Sequence, residues 1–124
     1  MEGYSVNIRE VSKQITAKER VMLKDTTNAI SLDEQTQGAS FVFEPAYYAI
    51  LDVHNEKSED KDYVKYIIVD TSGNKLVTGS ESFFTSFKSI MDEMAGCDEQ
   101  FSIEAYRKPS KNYKGKEFIT CSIV

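Results

Sequence analysis

The sequence is poor in the residues that build metal sites and catalytic centres. Its 124 residues include no tryptophan, a single histidine, His54, and two cysteines. Cys97 and Cys121 do not form a Cys-x-x-Cys pair, and this spacing excludes the usual zinc patterns. No Ser-His-Asp, Cys-His or glycine-rich phosphate motif is present either. The sequence therefore predicts a protein that is not an enzyme and has no cofactor.

A metal site has only one weak candidate set. Asp52, His54 and Glu56 alternate along one predicted strand and so share a face. One histidine with two carboxylates in a charged segment is more typical of an exposed acidic edge than of a metal site. We therefore predict no metal.

Long apolar runs are lacking as well. No run approaches 18 residues, so no transmembrane helix is predicted. The first seven residues lack the basic region and apolar core of a signal peptide. Together these absences predict a cytoplasmic protein without membrane contact, and the length predicts a single domain, 1–124.

Alternating apolar residues predict a mainly β protein. The segments 63–70 and 75–78 flank a turn at Gly73 and predict the clearest hairpin. Thr16 and Glu19 have the spacing of a helix capping box, but we favour two short strands, near 21–23 and 29–32, over a helix there. The other predicted strands are 4–11, 40–53 with an interruption at Pro45, 101–108 and 117–124.

One helix is predicted, at about 81–95. Ser80 is a suitable N-cap and Gly96 is placed to end the helix. Between them lies one wide apolar stripe, which is typical of a helix packed on a core. Its members are Phe83, Phe84, Phe87, Ile90, Met91 and Met94.

From residue 40 onward the predicted order is three strands, the helix and two more strands. This is the order of the oligonucleotide/oligosaccharide-binding (OB) fold. We therefore predict a five-stranded OB-fold-like antiparallel barrel in 40–124, with the helix between strands three and four. Residues 1–39 would be an N-terminal extension of short strands.

Positive charge is concentrated between the last two predicted strands. The stretch 107–116 holds five basic residues and no acid, so that without those five charges the net charge of −5 would be −10. In an OB fold this connection flanks the ligand. We therefore predict that this stretch forms the basic side of a groove that binds a polyanion, although a solvated lysine-rich turn would explain the same charges.

Proteins that bind single strands follow phosphates with positive charge and stack bases on aromatic rings. Tyr63 and Tyr66 differ by three positions, so at most one of them faces the nucleic acid. The predicted basic contacts are Arg107, Lys108, Lys111, Lys114 and Lys116, and the predicted aromatic contacts are Tyr106, Tyr113, Phe118, Tyr48 and Tyr66.

The chain resembles the single-stranded DNA-binding proteins of small protein-primed tailed bacteriophages. The resemblance rests on the central apolar strand 40–53, the hairpin 67–79, the helix 81–94 and the ending 114–124. It implies a protein with an OB fold that has no metal and no catalytic activity. Such a protein would coat and protect displaced single strands during phage DNA replication in the host cytoplasm. Replication proteins would be further partners.

Two alternatives stay open. RNA is one, because stacking and phosphate contacts do not separate RNA from DNA without readout of the 2′-hydroxyl. The other is a small acidic protein-binding module, such as a phage-encoded inhibitor or a replication accessory factor. The acidic stretch 52–62 would then be its contact surface.

Overall fold

The structure, a computed structural model, describes residues 3–57, 59–97, 99–109 and 115–124. In chain order its strands and helices are β1 (Tyr4–Val11), α1 (Ala17–Lys24), β2 (Ile30–Ser31), α2 (Leu32–Gln35), β3 (Phe41–Phe43), β4 (Pro45–Asn55), β5 (Asp62–Asp70), β6 (Lys75–Thr78), α3 (Glu81–Met94), β7 (Ile103–Pro109) and β8 (Glu117–Ile123).

The mainly β character is confirmed, with 44% of the residues in strands and 23% in helices. The strands form two sheets, a five-stranded one of order β1-β4-β5-β6-β2 and a three-stranded one of order β3-β7-β8. Within the described ranges these sheets do not close into a barrel. In the same ranges no helix is long and apolar enough to cross a membrane.

The chain forms two compact units. Unit 1 comprises residues 1–30 and 46–79, and unit 2 comprises residues 31–45 and 80–124. Compactness alone does not separate domains, so the prediction of a single domain stays a prediction.

One buried cluster of unit 1 lies on one face of β4 and β5. The alternation predicted for β4 is confirmed, because every second side chain from Tyr47 onward is buried with α1 residue Leu23. Each successive side chain of a strand points to the opposite face, so this register fixes which residues of β4 meet the core. The buried cluster consists of Leu23, Tyr47, Ala49, Leu51, Val53, Ile67 and Val69.

The prediction of a strand at 21–23 is wrong, because these residues belong to α1. Thr16 Oγ1 accepts a hydrogen bond from the Glu19 amide at 3.2 Å, and Glu19 Oε1 accepts one from the Thr16 amide at 3.0 Å. This complete capping box satisfies two amides that a helix start would otherwise leave unpaired. At the other end of α1, Lys75 Nζ donates to the Met22 carbonyl at 2.7 Å. The second predicted strand, 29–32, is reduced to the two residues of β2.

The hairpin of β5 and β6 is confirmed. Tyr66 lies opposite Thr78 and Val69 lies opposite Lys75. Gly73 has a φ of 88°, a left-handed conformation that glycine adopts without a steric penalty. The Asp70 carboxylate accepts hydrogen bonds from turn amides, including that of Asn74 at 2.8 Å.

Unit 2 is built around α3, and the predicted helix is confirmed. Ser80 Oγ accepts a hydrogen bond from the Phe83 amide at 3.2 Å, as the N-cap prediction requires. Phe83 and Phe87 are fully buried and their rings stack with centroids 5.8 Å apart. The helix packs on β8, where Ser82 Oγ donates to the Ile119 carbonyl at 3.0 Å.

Candidate functional site

The hairpin of β7 and β8 brings together three of the predicted contact residues. Lys108 lies directly opposite Phe118, and Tyr106 precedes Lys108 by two positions. Because side chains alternate along a strand and opposed residues share a face, Tyr106, Lys108 and Phe118 lie on the same side of the hairpin. We call these three residues the hairpin face.

The hairpin face is open to solvent. Lys108 is exposed, Phe118 is 37% exposed and Tyr106 is half-buried. Lys108 Nζ lies 5.8 Å from the centroid of the Tyr106 ring, within the range of a cation–π contact. The Tyr106 hydroxyl is 2.7 Å from Ser122 Oγ, and this hydrogen bond fixes the far end of the ring. The result is a positive charge beside two aromatic side chains.

An apolar side chain that the sequence did not single out extends this face. Val42 of β3 lies opposite Glu104, which has the same orientation as Tyr106 and Lys108 on β7. Val42 is 55% exposed. The local pattern of β3 gave no signal for it, because three residues are too few to show which side faces the core.

Arg107 points to the opposite side of the hairpin from Tyr106 and Lys108. Its Nε donates to Thr36 Oγ1 at 3.3 Å, and its Nη2 donates to the Asp33 carbonyl at 2.8 Å. The sequence places Arg107 with the lysines of its loop, but the structure holds its guanidinium against the segment that follows α2. No local pattern indicates this contact, since Thr36 and Arg107 are 71 residues apart.

The remaining predicted contacts are distributed differently. Lys116 is exposed and directly precedes β8. Tyr48 and Tyr66 belong to unit 1, where Tyr48 is only 6% exposed and Tyr66 is half-buried. Tyr48 therefore presents little ring surface on which a base can stack. The other three predicted contacts, Lys111, Tyr113 and Lys114, lie outside the described residues.

The acidic stretch of unit 1 is held by opposite charges. Both nitrogens of His54 meet carboxylates, with Nδ1 2.7 Å from Asp62 Oδ1 and Nε2 2.6 Å from Glu56 Oε1. These hydrogen bonds, that of Asp62 first, raise the pKa of His54. The pKa of Glu56 is lowered, chiefly by its hydrogen bond to the same ring. Lys61 Nζ lies 3.4 Å from the second oxygen of Glu56.

Asp52, the third member of this predicted acidic edge, has a different partner. It pairs with Arg9 of β1 through both carboxylate oxygens, and this hydrogen bonding raises the pKa of Arg9. No local sequence pattern indicates this pair, because its members are 43 residues apart. In the part of the chain that the structure describes, no three side chains of histidine, cysteine, aspartate or glutamate are grouped to hold a metal ion.

Comparison of the chain with protein-family models, with curated proteins and with solved structures finds no match.

Proposed function

We propose that this protein is a non-catalytic single-stranded DNA-binding protein that coats and protects single strands during DNA replication. The observation that carries the proposal is the hairpin face, where Lys108 lies opposite Phe118 and beside Tyr106 on an exposed side of unit 2. In the sequence, the stretch 107–116, which begins in β7 and ends just before β8, holds five basic residues and no acid.

The chemistry of the face suits a single strand. An aromatic ring stacks on any base, and such a contact is worth about 1–3 kcal/mol per base. An ammonium group neutralises a phosphate and releases a condensed counterion, which favours binding at low salt. Two aromatic side chains beside one lysine supply both kinds of contact on one face of the hairpin, without a requirement for a particular sequence.

The order of strand pairing supports an OB fold for this protein. The segment 41–55 is interrupted at Glu44, and its first part, β3, pairs with β7, whereas its second part, β4, neighbours β5. The pairs β5–β6 and β7–β8 are antiparallel, and α3 lies between β6 and β7 in the chain. A first strand divided between two sheets, with a helix before strand four, is the pattern of the partly open OB barrel. In that fold the β7–β8 connection flanks the ligand.

The acidic net charge is compatible with this function because charge acts locally. In unit 1, Asp52, Glu56 and Asp62 are paired with basic side chains. In unit 2 the basic stretch 107–116 contains no acid. A polyanion is therefore attracted to the basic stretch, and the paired acids of unit 1 oppose its binding less than the net charge suggests.

Titration with oligo(dT) tests the proposal directly. The chain has seven tyrosines and no tryptophan, so stacking on Tyr106 is expected to quench tyrosine emission. Affinity should fall steeply between low and physiological salt, and duplex DNA should compete poorly. Oligo(U) in the same assay decides between DNA and RNA. If low salt gives neither quenching nor a mobility shift with any single strand, the proposal fails.

A second candidate function is a small acidic protein-binding module. It is favoured by the exposed carboxylates of Glu59 and Asp60 in the connection between β4 and β5. In that case a partner protein that binds the wild type would not bind the double variant Glu59→Gln/Asp60→Asn, and the wild type would have no affinity for DNA. Retention of the bound protein by the variant would argue against this function.

A further inference from the structure

A pocket of about 260 Å³ lies in unit 2 beside β7, at the turn that follows α2. It is distinct from the hairpin face, although Tyr106 borders both. Its lining residues are Thr36, Gly38, Ala39, Tyr106, Arg107 and Glu117.

The guanidinium of Arg107 is oriented by neutral oxygens. Thr36 is only 2% exposed, and its hydroxyl donates to the Leu32 carbonyl at 2.8 Å and accepts from Arg107 Nε. The Asp33 carbonyl accepts from Nη2. An arginine has five N–H donors in a planar fork, so two fixed bonds hold the fork while further donors remain for a ligand. Both of these partners are uncharged oxygens, so neither offsets the positive charge that the guanidinium presents to a ligand.

A carboxylate lines the same pocket from the neighbouring strand. Arg107 is opposite Ile119 and Glu117 is opposite Pro109, so Arg107 and Glu117 lie on the same side of the hairpin, displaced along it by two positions. Among the contacts of the described residues, no ion pair joins these two charges. The pocket thus presents hydrogen-bond donors and an acceptor that are not satisfied by each other.

A ligand that suits both groups must offer acceptors to the guanidinium and donors to the carboxylate. A phosphate meets the first requirement but is repelled by Glu117. The edge of a base with an exocyclic amino group meets both, since cytosine, adenine and guanine each carry an NH₂ donor near ring or carbonyl acceptors. Thymine and uracil have no amino group, and their one donor, N3–H, lies between two carbonyl oxygens that repel the carboxylate of Glu117. In a single strand this edge is unpaired and available to a protein.

We infer that the pocket receives one base of the bound strand and favours a base with an exocyclic amino group over thymine or uracil. This inference rests on the proposed function, because it requires a single strand to lie along the β7–β8 hairpin. Arg107 and Glu117 would then add a base preference to binding that the hairpin face makes tolerant of sequence.

The test compares oligo(dC), oligo(dU) and oligo(dT) of equal length by fluorescence anisotropy at one salt concentration. Cytosine and uracil are both pyrimidines and differ at the C4 substituent and the N3 proton, so stacking is closely matched. We expect oligo(dC) to bind about fivefold more tightly, or better, than either of the others. In Glu117→Ala this preference should be lost through weaker binding of oligo(dC). Glu117 is exposed, so this variant is expected to fold, and circular dichroism verifies it.

Two further variants separate the base contact from general attraction. Arg107→Lys keeps the charge but loses the fork, and should also reduce the preference for oligo(dC). Lys108→Ala removes a phosphate contact and should weaken all three complexes by the same factor.

The outcomes distinguish this inference from the proposed function. If the wild type binds all three oligonucleotides equally, the base preference is refuted and the single-strand function stands. If it binds none of them, both fail. If Glu117→Ala tightens all three complexes equally, the carboxylate only repels phosphates and the inference is overturned.

Discussion

The hairpin face predicts that two neighbouring side chains contribute to DNA binding in measurably different ways. Replacing Lys108 by alanine removes one positive charge and, with it, one phosphate contact. For single strands each such contact contributes about 0.7 to the slope of log K against log salt concentration. Between about 50 and 200 mM salt, the wild type should therefore lose about 2.6-fold more affinity than Lys108→Ala does.

Replacing Phe118 should instead lower affinity equally at every salt concentration. The loss of one stacked base costs about 1–3 kcal/mol, or about 5- to 150-fold in affinity. Phe118 is 37% exposed, so part of its ring also stabilises the fold. Phe118→Leu is the appropriate change, because leucine retains most of the apolar contact but has no aromatic face on which a base can stack.

The assay is anisotropy of a labelled oligo(dT) titrated with each variant at several salt concentrations. Lys57→Ala is a matched control, since it removes an equal charge from an exposed site in unit 1. Urea unfolding establishes that Lys108→Ala changes the free energy of unfolding by no more than about 0.5 kcal/mol. If Lys108→Ala and Lys57→Ala have the same salt slope, and Phe118→Leu binds as the wild type does, the hairpin face is not the interface.

Three further predictions concern the fold. Thr16→Ala removes the cap of α1 and should lower the free energy of unfolding in urea by about 1 kcal/mol, whereas Thr16→Ser should retain it. The pKa of His54 is raised above its usual 6.5, chiefly by Asp62, so the stabilisation is fully present below 6.5 and is lost as pH rises through the raised pKa. Urea midpoints across this range should fall in the wild type but not in His54→Gln, and parallel curves would refute the assignment. Burial raises the pKa of Cys121 to about 12, so Ellman's reagent should titrate only the exposed Cys97 in the native protein and both thiols in denaturant. Rapid reaction of two native thiols would contradict this burial.

The sequence by itself determined the elements whose signals are local. The α3 helix follows from a serine cap, an apolar stripe at helical spacing and a terminal glycine. The β5–β6 hairpin follows from two apolar strands around Gly73, and the face of β4 that carries Tyr47, Ala49, Leu51 and Val53 follows from alternation. In each case neighbouring residues carry the information, because backbone propensity, capping and alternation act over a few positions.

Only the tertiary structure decided which competing local signal prevailed and which side chains meet. The segment 16–24 has a capping box, which favours a helix, and a short apolar run, which favours a strand. The helix forms, and Leu23 is buried with residues of β4 and β5. In the sequence Arg107 is one of five basic residues in the stretch 107–116, yet its guanidinium donates a hydrogen bond to Thr36, 71 residues earlier. The pairing register of β7 and β8 puts Lys108 and Phe118 on one face and Arg107 on the other. These outcomes depend on strand register and on residues distant in the chain, and no pattern within a short window of sequence records either.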